Sequence, residues 1–96
     1  MDMRFEWNPA KNAWLREHRG ISFEEIVVHL GRGDVWKMAP HPNPRKYPHQ
    51  AVAFVVVNDY VWLVPFEEVG DVILLRTIIP SRKATRHYRE GRKQRP

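Results

Sequence analysis

Positively charged side chains gather where a helix is predicted to begin near the C-terminus. Pro80 ends a strand-like stretch and Ser81 is a natural N-cap, which predicts a helix over residues 82–90. Arg82 and Lys83 would lie in its first turn, where the helix dipole disfavours cations. Because a helix N-terminus with adjacent cations suits an anion, this pattern favours phosphate binding. The alternative is a surface helix that tolerates a penalty of about 0.3–1 kcal/mol per charge.

Three arginines on the same predicted helix extend this cationic surface. Arg82, Arg86 and Arg89 share one face (i, i+4, i+7), which suits the repeating phosphates of a nucleic acid. Residues 81–96 hold seven Lys or Arg residues and one acid, a net charge of +6, whereas residues 1–80 have a net charge of −1. A polyanion partner would explain such a block, and so would a basic tail exposed to solvent.

Aromatic side chains on a predicted sheet supply a second candidate surface. Alternation along the strands places Tyr60 and Trp62 on one face, with Arg76 expected near Trp62, as a shallow platform of rings and a cation. The alternative is that the C-terminal helix covers this face while Arg76 reaches out to water. Together with the basic helix, this gives the candidate RNA-binding residues Tyr60, Trp62, Lys83, Arg86 and Arg89.

Few side chains in this sequence could carry out catalysis. Cleaving RNA without a metal requires deprotonation of the 2′-OH, stabilisation of the phosphorane charge and protonation of the leaving oxygen. His18 could act as a general acid or base, and Glu67 or Glu68 could share that role. Arg76 and Arg82 suit stabilisation of the phosphorane. The alternatives are structural, with His18 as a cation at a helix C-terminus and the glutamates in an exposed turn.

Composition excludes several classes of protein and site. The 96 residues suffice for one small domain, predicted over residues 1–90, with residues 91–96 as a disordered basic tail. The absence of cysteine excludes disulfides, zinc–thiolate sites and thiol catalysis. His41 and His49 have no carboxylate or cysteine at ligand spacing, so no metal and no cofactor are predicted. Without an 18-residue apolar run or a signal peptide, the cytoplasm is the expected compartment and no membrane contact is expected.

Two helices are predicted near the N-terminus. Asn8 and Pro9 are typical of a helix start, and the helix should run to about His18 and stop at Gly20, with Trp14 as its core anchor. A second start signal follows it. Ser22 and Glu25 form a capping box, and Ile21 and Ile26 form a hydrophobic staple. This second helix is expected to end near residues 31–33.

Strands are predicted after a proline-rich loop over residues 40–49. Residues 50–57 and 60–66 form a hairpin about a two-residue turn, residues 72–79 form the next strand, and residues 35–38 are either a turn or a short edge strand. The fold class is therefore α+β, with two N-terminal helices on a small antiparallel meander of three to four strands and a basic C-terminal helix. The face expected under the two N-terminal helices consists of Val52, Phe54, Val56, Val61, Leu63, Ile73, Leu75 and Ile79.

Two separated stretches resemble the signature segments of a known family. They are FEWNPAKNAWLREHRGISFEE (residues 5–25) and IIPSRKATRHYRE (residues 78–90), and they resemble the BrnT family of small bacterial ribonuclease toxins. With the strands between them in matching order, the resemblance spans essentially residues 4–90. One departure is Arg19, which stands between His18 and Gly20 where the family usually has His-Gly.

The resemblance implies a RelE-like fold and a metal-independent endoribonuclease that cleaves mRNA as the toxin of a type II toxin–antitoxin pair. It implies neutralisation by a BrnA-like ribbon-helix-helix antitoxin, through which alone the complex contacts operator DNA. Matching the motifs adds Lys11 to the candidates, so that the predicted catalytic residues are Lys11, His18, Glu68, Arg76 and Arg82.

Two other functional hypotheses remain open from the sequence. The first is a non-catalytic RNA- or DNA-binding module, or an inactive divergent toxin homologue, that uses the same basic helix. The second is a protein whose basic tail docks an acidic protein partner with no nucleic acid involved. A steep salt dependence of RNA affinity separates the second from the others, because phosphate contacts release counterions.

Overall fold

The computed structural model describes residues 3–93 of the chain. Within that range three helices and six strands form an α+β fold. In chain order the elements are β1 (Arg4–Glu6), α1 (Pro9–Arg19), α2 (Phe23–Gly31), β2 (Val35–Pro40), β3 (Gln50–Val57), β4 (Tyr60–Val69), β5 (Val72–Leu75), β6 (Ile79–Pro80) and α3 (Arg82–Lys93).

The sheet is mixed and larger than the predicted meander. Its strand order is β1-β5-β4-β3-β2, and β6 pairs with the part of β4 that β5 leaves uncovered. All pairs are antiparallel except β1 with β5, which run parallel. The prediction of three to four antiparallel strands was therefore wrong in both number and direction. One additional strand arises because the predicted strand 72–79 is divided into β5 and β6. The other is β1, whose three residues pair with a strand about 70 positions away, and such a short non-local strand leaves no local signal.

Local signals did predict the first two helices correctly. The Asn8 side chain accepts a hydrogen bond from the Lys11 backbone N–H (3.1 Å), and Gly20 ends α1 with a left-handed φ of 64°. The Ser22 hydroxyl accepts from the Glu25 backbone N–H (3.2 Å), which caps α2. Buried Asn12 then joins the two helices, because its Oδ1 accepts a hydrogen bond from the first amide of α2 (2.8 Å).

The β3–β4 hairpin also agrees with the sequence-based expectation. Asn58 and Asp59 both have positive φ values, 52° and 65°, as a type I′ turn requires. The turn sets the pairing, and the predicted partners 57 with 60, 55 with 62 and 53 with 64 are all observed.

On β3 and β4 the face of the sheet that packs on α1 and α2 is the opposite of the predicted one, whereas Ile73 and Leu75 of β5 lie against this core as predicted. Leu15, Phe23 and Ile26 of the helices are fully buried against the odd-numbered residues of β3 and their partners on β4. Both faces are apolar because both are covered, so alternation alone does not identify the helix-covered face. The sheet residues of this core are Ala53, Val55, Val57, Val64, Phe66 and Leu75, with Ile78 beyond β5.

The second face of the sheet is covered by α3. Ala84 and Thr85 of that helix are buried, and the Tyr88 ring meets the Trp36 ring of β2 edge-on at 5.7 Å. The helix continues through Lys93, so residues 91–93 of the predicted tail are helical, and residues 94–96 lie outside the described range. Across residues 3–93, none of the helices is both long enough and apolar enough to cross a membrane.

Candidate functional site

Helix α1 presents a polar and aromatic side to solvent because its other side is fixed in the core. Leu15 and Asn12 (i, i+3) are buried, which turns Lys11, Trp14 and His18 outward. Trp14 is 40% exposed, so its predicted role as the core anchor was wrong and Leu15 fills that place. The indole is thereby available at the surface.

The exposed indole is surrounded by nitrogen-bearing side chains. Lys11 Nζ lies 4.7 Å and Arg19 Cζ 5.0 Å from the centroid of the Trp14 ring. The His18 imidazole stacks on the same indole, with centroids 4.6 Å apart and planes 18° apart. We call Lys11, Trp14, His18 and Arg19 the α1 cluster. The negative face of the indole explains how two cations are held so close together without a carboxylate.

A hydrogen bond fixes the tautomer of His18. Its Nδ1 lies 3.0 Å from the Trp14 carbonyl oxygen. A carbonyl oxygen only accepts, so Nδ1 carries the proton and donates it to that oxygen. In the neutral ring Nε2 is then the unprotonated nitrogen, which is the arrangement required of a general base.

A groove of about 630 Å³ beside α1 brings Arg76 to Lys11. Arg76 follows β5, and its backbone N–H donates to the Pro65 carbonyl (2.9 Å), which sets where it leaves the sheet. The predicted position of Arg76 near Trp62 was wrong, because Trp62 pairs with Pro80 of β6 instead. We call this depression the α1 groove, and its lining is Asn8, Ala10, Lys11, Trp14, Leu74, Leu75 and Arg76.

The α1 cluster is also tied to the segment that leads into α3. Arg19 Nη1 donates a hydrogen bond to the Ile78 carbonyl oxygen. Ile78 is four residues before Arg82, so the Cα of Arg82 lies within about 14 Å of the Cα of Ile78 along the chain. The two stretches that carry the sequence resemblance therefore meet at the C-terminal end of α1.

Helix α3 carries its arginines along one side, next to an aromatic ring. Arg82, Arg86 and Arg89 line a groove of about 340 Å³ together with Tyr60, and Glu90 is the one acidic residue in its lining among the described residues. We call the three arginines the α3 stripe. Below them the Thr85 hydroxyl accepts from the Val61 backbone N–H (2.9 Å) and donates to the Ser81 carbonyl (2.7 Å), which attaches the helix to β4.

One carboxylate compensates the C-terminal end of α3. Asp59, in the hairpin turn, pairs with Arg89 (3.2 Å) and with Arg92. The hydrogen bond from Arg92 lowers the pKa of the Asp59 carboxyl, and the positive charge of both arginines adds to this. Arg82 and Arg86 form no ion pair within residues 3–93. The uncompensated charge of the stripe is therefore at its N-terminal end.

The other predicted RNA-binding residues are divided between two places. Tyr60 and Trp62 lie together, with rings edge to face at 5.8 Å, but Trp62 is half-buried against the core. Lys83 points to the opposite side of α3, into a groove with Trp36 and Phe54. The stripe thus keeps Tyr60 as its aromatic neighbour, and Lys83 belongs to a different surface.

Glu68 lies away from every cation of the candidate site. It pairs across β4 and β5 with Ile73 and lines an apolar depression with Phe5, Leu30 and Met38. Glu67 pairs with Leu74 on the same stretch of sheet. The structure brings together Lys11, His18 and Arg76 through Trp14, whereas Glu68 is not part of that group.

Sequence reasoning overlooked Trp14 and Arg19 as site residues. Their signal was present, because Lys11, Trp14 and His18 repeat at i, i+3 and i+7 along one helix face. A tryptophan within such a polar series indicates an exposed ring that binds cations, and it was interpreted as core. Arg19 follows His18 directly and had been noted only as a departure from a family pattern.

Among residues 3–93, no three or more His, Asp and Glu side chains come close enough to share a metal ion. His41, in the proline-rich loop, accepts a hydrogen bond from the Asn43 backbone N–H (3.0 Å) and packs against the Tyr47 ring with the two planes tilted by 41°. No protein-family model, no curated protein and no solved structure matches the chain.

Proposed function

We propose that the protein is a metal-independent endoribonuclease of the BrnT type, with a RelE-like fold, and that it acts as the toxin of a type II toxin–antitoxin pair in the cytoplasm. The observation that carries the proposal is the meeting of two distant segments at one surface. Lys11 and Trp14 line a groove with Arg76, and Arg19 bonds to the Ile78 carbonyl at the start of the second segment. Both segments are those that resemble the family.

The α1 groove, together with His18 stacked on its Trp14 wall, has the groups for attack by the 2′-OH on the adjacent phosphate. His18 Nε2 takes the proton of the 2′-OH, since Nδ1 is held as a donor by the Trp14 carbonyl. Lys11 and Arg76 stabilise the charge of the phosphorane. The bond to the 5′-oxygen then breaks, and that oxygen takes a proton from the Lys11 ammonium. The products are a 2′,3′-cyclic phosphate and a 5′-OH.

Substrate geometry follows from the place of His18. The imidazole stacks on Trp14, and Trp14 itself lines the groove. A bound RNA must therefore cross the edge of the indole to reach both His18 and Arg76. Glu68 is left out of this mechanism because it lies in a separate apolar depression.

The α3 stripe supplies binding in this proposal. Arg82 and Arg86 hold phosphates, and Tyr60 beside them offers a ring for stacking of a base. The same groove favours a second candidate function, RNA binding without cleavage, because its three arginines and tyrosine are sufficient to hold RNA and need no general base.

Expression in bacterial cells tests the proposal against its alternative. We expect the wild-type gene to arrest growth and to leave cleaved mRNA, and we expect His18→Asn to lose both effects. His49→Asn, which changes an exposed loop histidine, is the matched control and should remain toxic. Co-expression of a neighbouring ribbon-helix-helix gene should restore growth. Normal growth with intact mRNA under the wild-type gene would favour the binding module.

A further inference from the structure

Helix α3 has a second groove on the side opposite its arginine stripe. This depression of about 570 Å³ lies between α3 and the second face of the sheet. No aspartate or glutamate among the described residues lines it. We call it the aromatic groove, after the rings in its lining, which is formed mainly by Trp36, Lys37, Phe54, Leu63, Lys83 and His87.

The rings in this groove pack against neighbouring rings and are covered by a lysine side chain. Trp36 meets Phe54 edge-on at 6.0 Å and is held from another side by Tyr88. Lys37 Nζ lies 4.7 Å from the Trp36 centroid and 4.9 Å from the Phe54 centroid. Because the rings are already packed, a flat ligand can take the place of the lysine at little cost in ordering.

Charge and ring chemistry together indicate the kind of ligand. Lys83 and His87 are one helical turn apart on the exposed side of α3 and face the rings across the groove. Rings for stacking beside cations for phosphates are the means by which proteins bind single-stranded nucleic acid. A stacked base gains more than an exposed cation over a ring does, so the base displaces the Lys37 ammonium.

We propose that the aromatic groove binds one unpaired nucleotide of an RNA strand, a proposal that rests on the RNA-directed function proposed above. The base stacks on Trp36 with its edge against Phe54, because the two rings are nearly perpendicular, and the displaced Lys37 joins Lys83 on the phosphate. Lys83 directly follows Arg82 of the α3 stripe, so a strand that crosses the first turn of α3 passes from one groove into the other. This assigns Lys83, which lies outside the stripe, to RNA contact.

Affinity for an RNA that cannot be cut tests the assignment. The probe is a fluorescein-labelled 2′-O-methyl oligouridylate of about ten nucleotides, measured by anisotropy with the full chain. We expect Lys83→Gln and Phe54→Leu each to lower affinity by about tenfold, within the range measured for loss of a stacked base. Lys46→Gln, an exposed lysine of the proline-rich loop, is the matched control and should bind as the wild type does.

Crosslinking to the wild-type protein locates the RNA without any substitution that could disturb folding. With 4-thiouridine in the oligonucleotide, wild-type protein should crosslink at Trp36, Lys37 or Phe54. Crosslinks confined to Tyr60 and the α3 stripe, together with wild-type affinity of Lys83→Gln, would overturn the groove while leaving the ribonuclease proposal intact. A protein that binds RNA through this groove but never cuts it would overturn only the ribonuclease. Wild-type protein that fails to bind the oligonucleotide would overturn both.

A hexaglutamate peptide tests whether the ligand of this groove is an acidic protein and not a nucleotide. We expect the peptide to bind far more weakly than the oligonucleotide, because it has no ring to stack on Trp36. Tight binding of this peptide that is lost in Lys83→Gln would overturn the nucleotide assignment in favour of an acidic protein partner.

Discussion

The α1 cluster and the α3 stripe are both cationic, but they hold their charges in different ways. In the cluster, Lys11 and Arg19 lie over the Trp14 indole, which is neutral. In the stripe, Arg89 pairs with the carboxylate of Asp59. An indole holds a cation in place without cancelling its charge, whereas a carboxylate cancels it. In the proposed function, the cluster therefore keeps its positive potential for a transient charge, and the stripe is a graded surface for phosphates.

The two regions are also attached to the protein differently. Helix α1 is fixed by fully buried Leu15 and by the buried amide of Asn12. Helix α3 is fixed near its start by Thr85 and at its far end by exposed pairs with Asp59. Precise positioning is required for bond cleavage more than for binding a flexible strand. This difference favours catalysis at α1 and binding at α3.

The largest effect is expected for His18→Asn. Removing a general base lowers a rate by about 10²–10⁴-fold, so cleavage of RNA under single-turnover conditions should fall in that range. RNA affinity should stay within about twofold of the wild type, because the arginines of α3 are unchanged. His49→Asn is the control. Equal cleavage rates for His18→Asn and wild type would remove His18 from the mechanism.

The second-largest effect is expected on the free energy of unfolding, when the attachment of α3 to β4 is weakened. Thr85→Val keeps the shape of the side chain but leaves the buried Val61 N–H without its acceptor. We expect the free energy of unfolding to fall by about 1–3 kcal/mol, measured by urea denaturation. Thr77→Val, at a half-buried threonine, is the matched control and should change stability less. A Thr85→Val protein as stable as the control would show that α3 is held by other contacts.

A smaller effect separates the two ends of the stripe. Arg86→Gln should weaken RNA binding and reduce the slope of log affinity against log salt by about 0.7, as loss of one phosphate contact on a single strand does. Arg89→Gln should change both quantities less, because Asp59 already compensates that arginine. Arg45→Gln, in the proline-rich loop, controls for net charge. Equal losses at positions 86 and 89 would contradict the graded surface.

The smallest effect is a pH dependence of stability that arises at Asp59. Its carboxyl has a lowered pKa in the folded protein, so its contribution to stability is present above the ordinary value of 3.8 and is lost as the pH falls through the folded-state value. The difference in unfolding free energy between wild type and Asp59→Asn should therefore be larger at about pH 6 than at about pH 2. Because Glu24, whose pKa is lowered chiefly by its hydrogen bond from Asn12, is common to both proteins, its contribution cancels. A difference that is independent of pH would contradict the ion pair.

The fold was predictable where a few neighbouring residues decide the geometry. Asn8 with Pro9, and Ser22 with Glu25, start helices through their own hydrogen bonds, and Asn58 with Asp59 sets the hairpin. The same reasoning failed for β1, whose partner strand is distant in sequence, and for the choice of sheet face. The face that the helices cover carries Ala51 and Ala53, whose small side chains let a helix lie close to the sheet.

For the candidate site, the sequence indicated which residues to consider but not where they lie in the fold. Lys11, His18 and the arginines of α3 were candidates from the sequence, and their separation into two regions follows from tertiary packing. Arg76 was expected near Trp62 because the second strand was predicted to end at residue 66, whereas β4 continues to Val69 and the pairing with β5 is shifted. The strand stops at Leu75, so Arg76 leaves the sheet beside α1 instead.

The central claim is that the α1 groove cleaves RNA by attack of the RNA's 2′-OH on the adjacent phosphate. Replacing that 2′-OH by hydrogen tests the claim most directly. The measurement is cleavage by purified protein, in EDTA, of one oligoribonucleotide and of the same oligonucleotide with 2′-deoxyribose at the cleaved position. We predict a 2′,3′-cyclic phosphate and a 5′-OH from the first, and binding without cleavage for the second. Cleavage of both, or of neither while both are bound, would contradict the account.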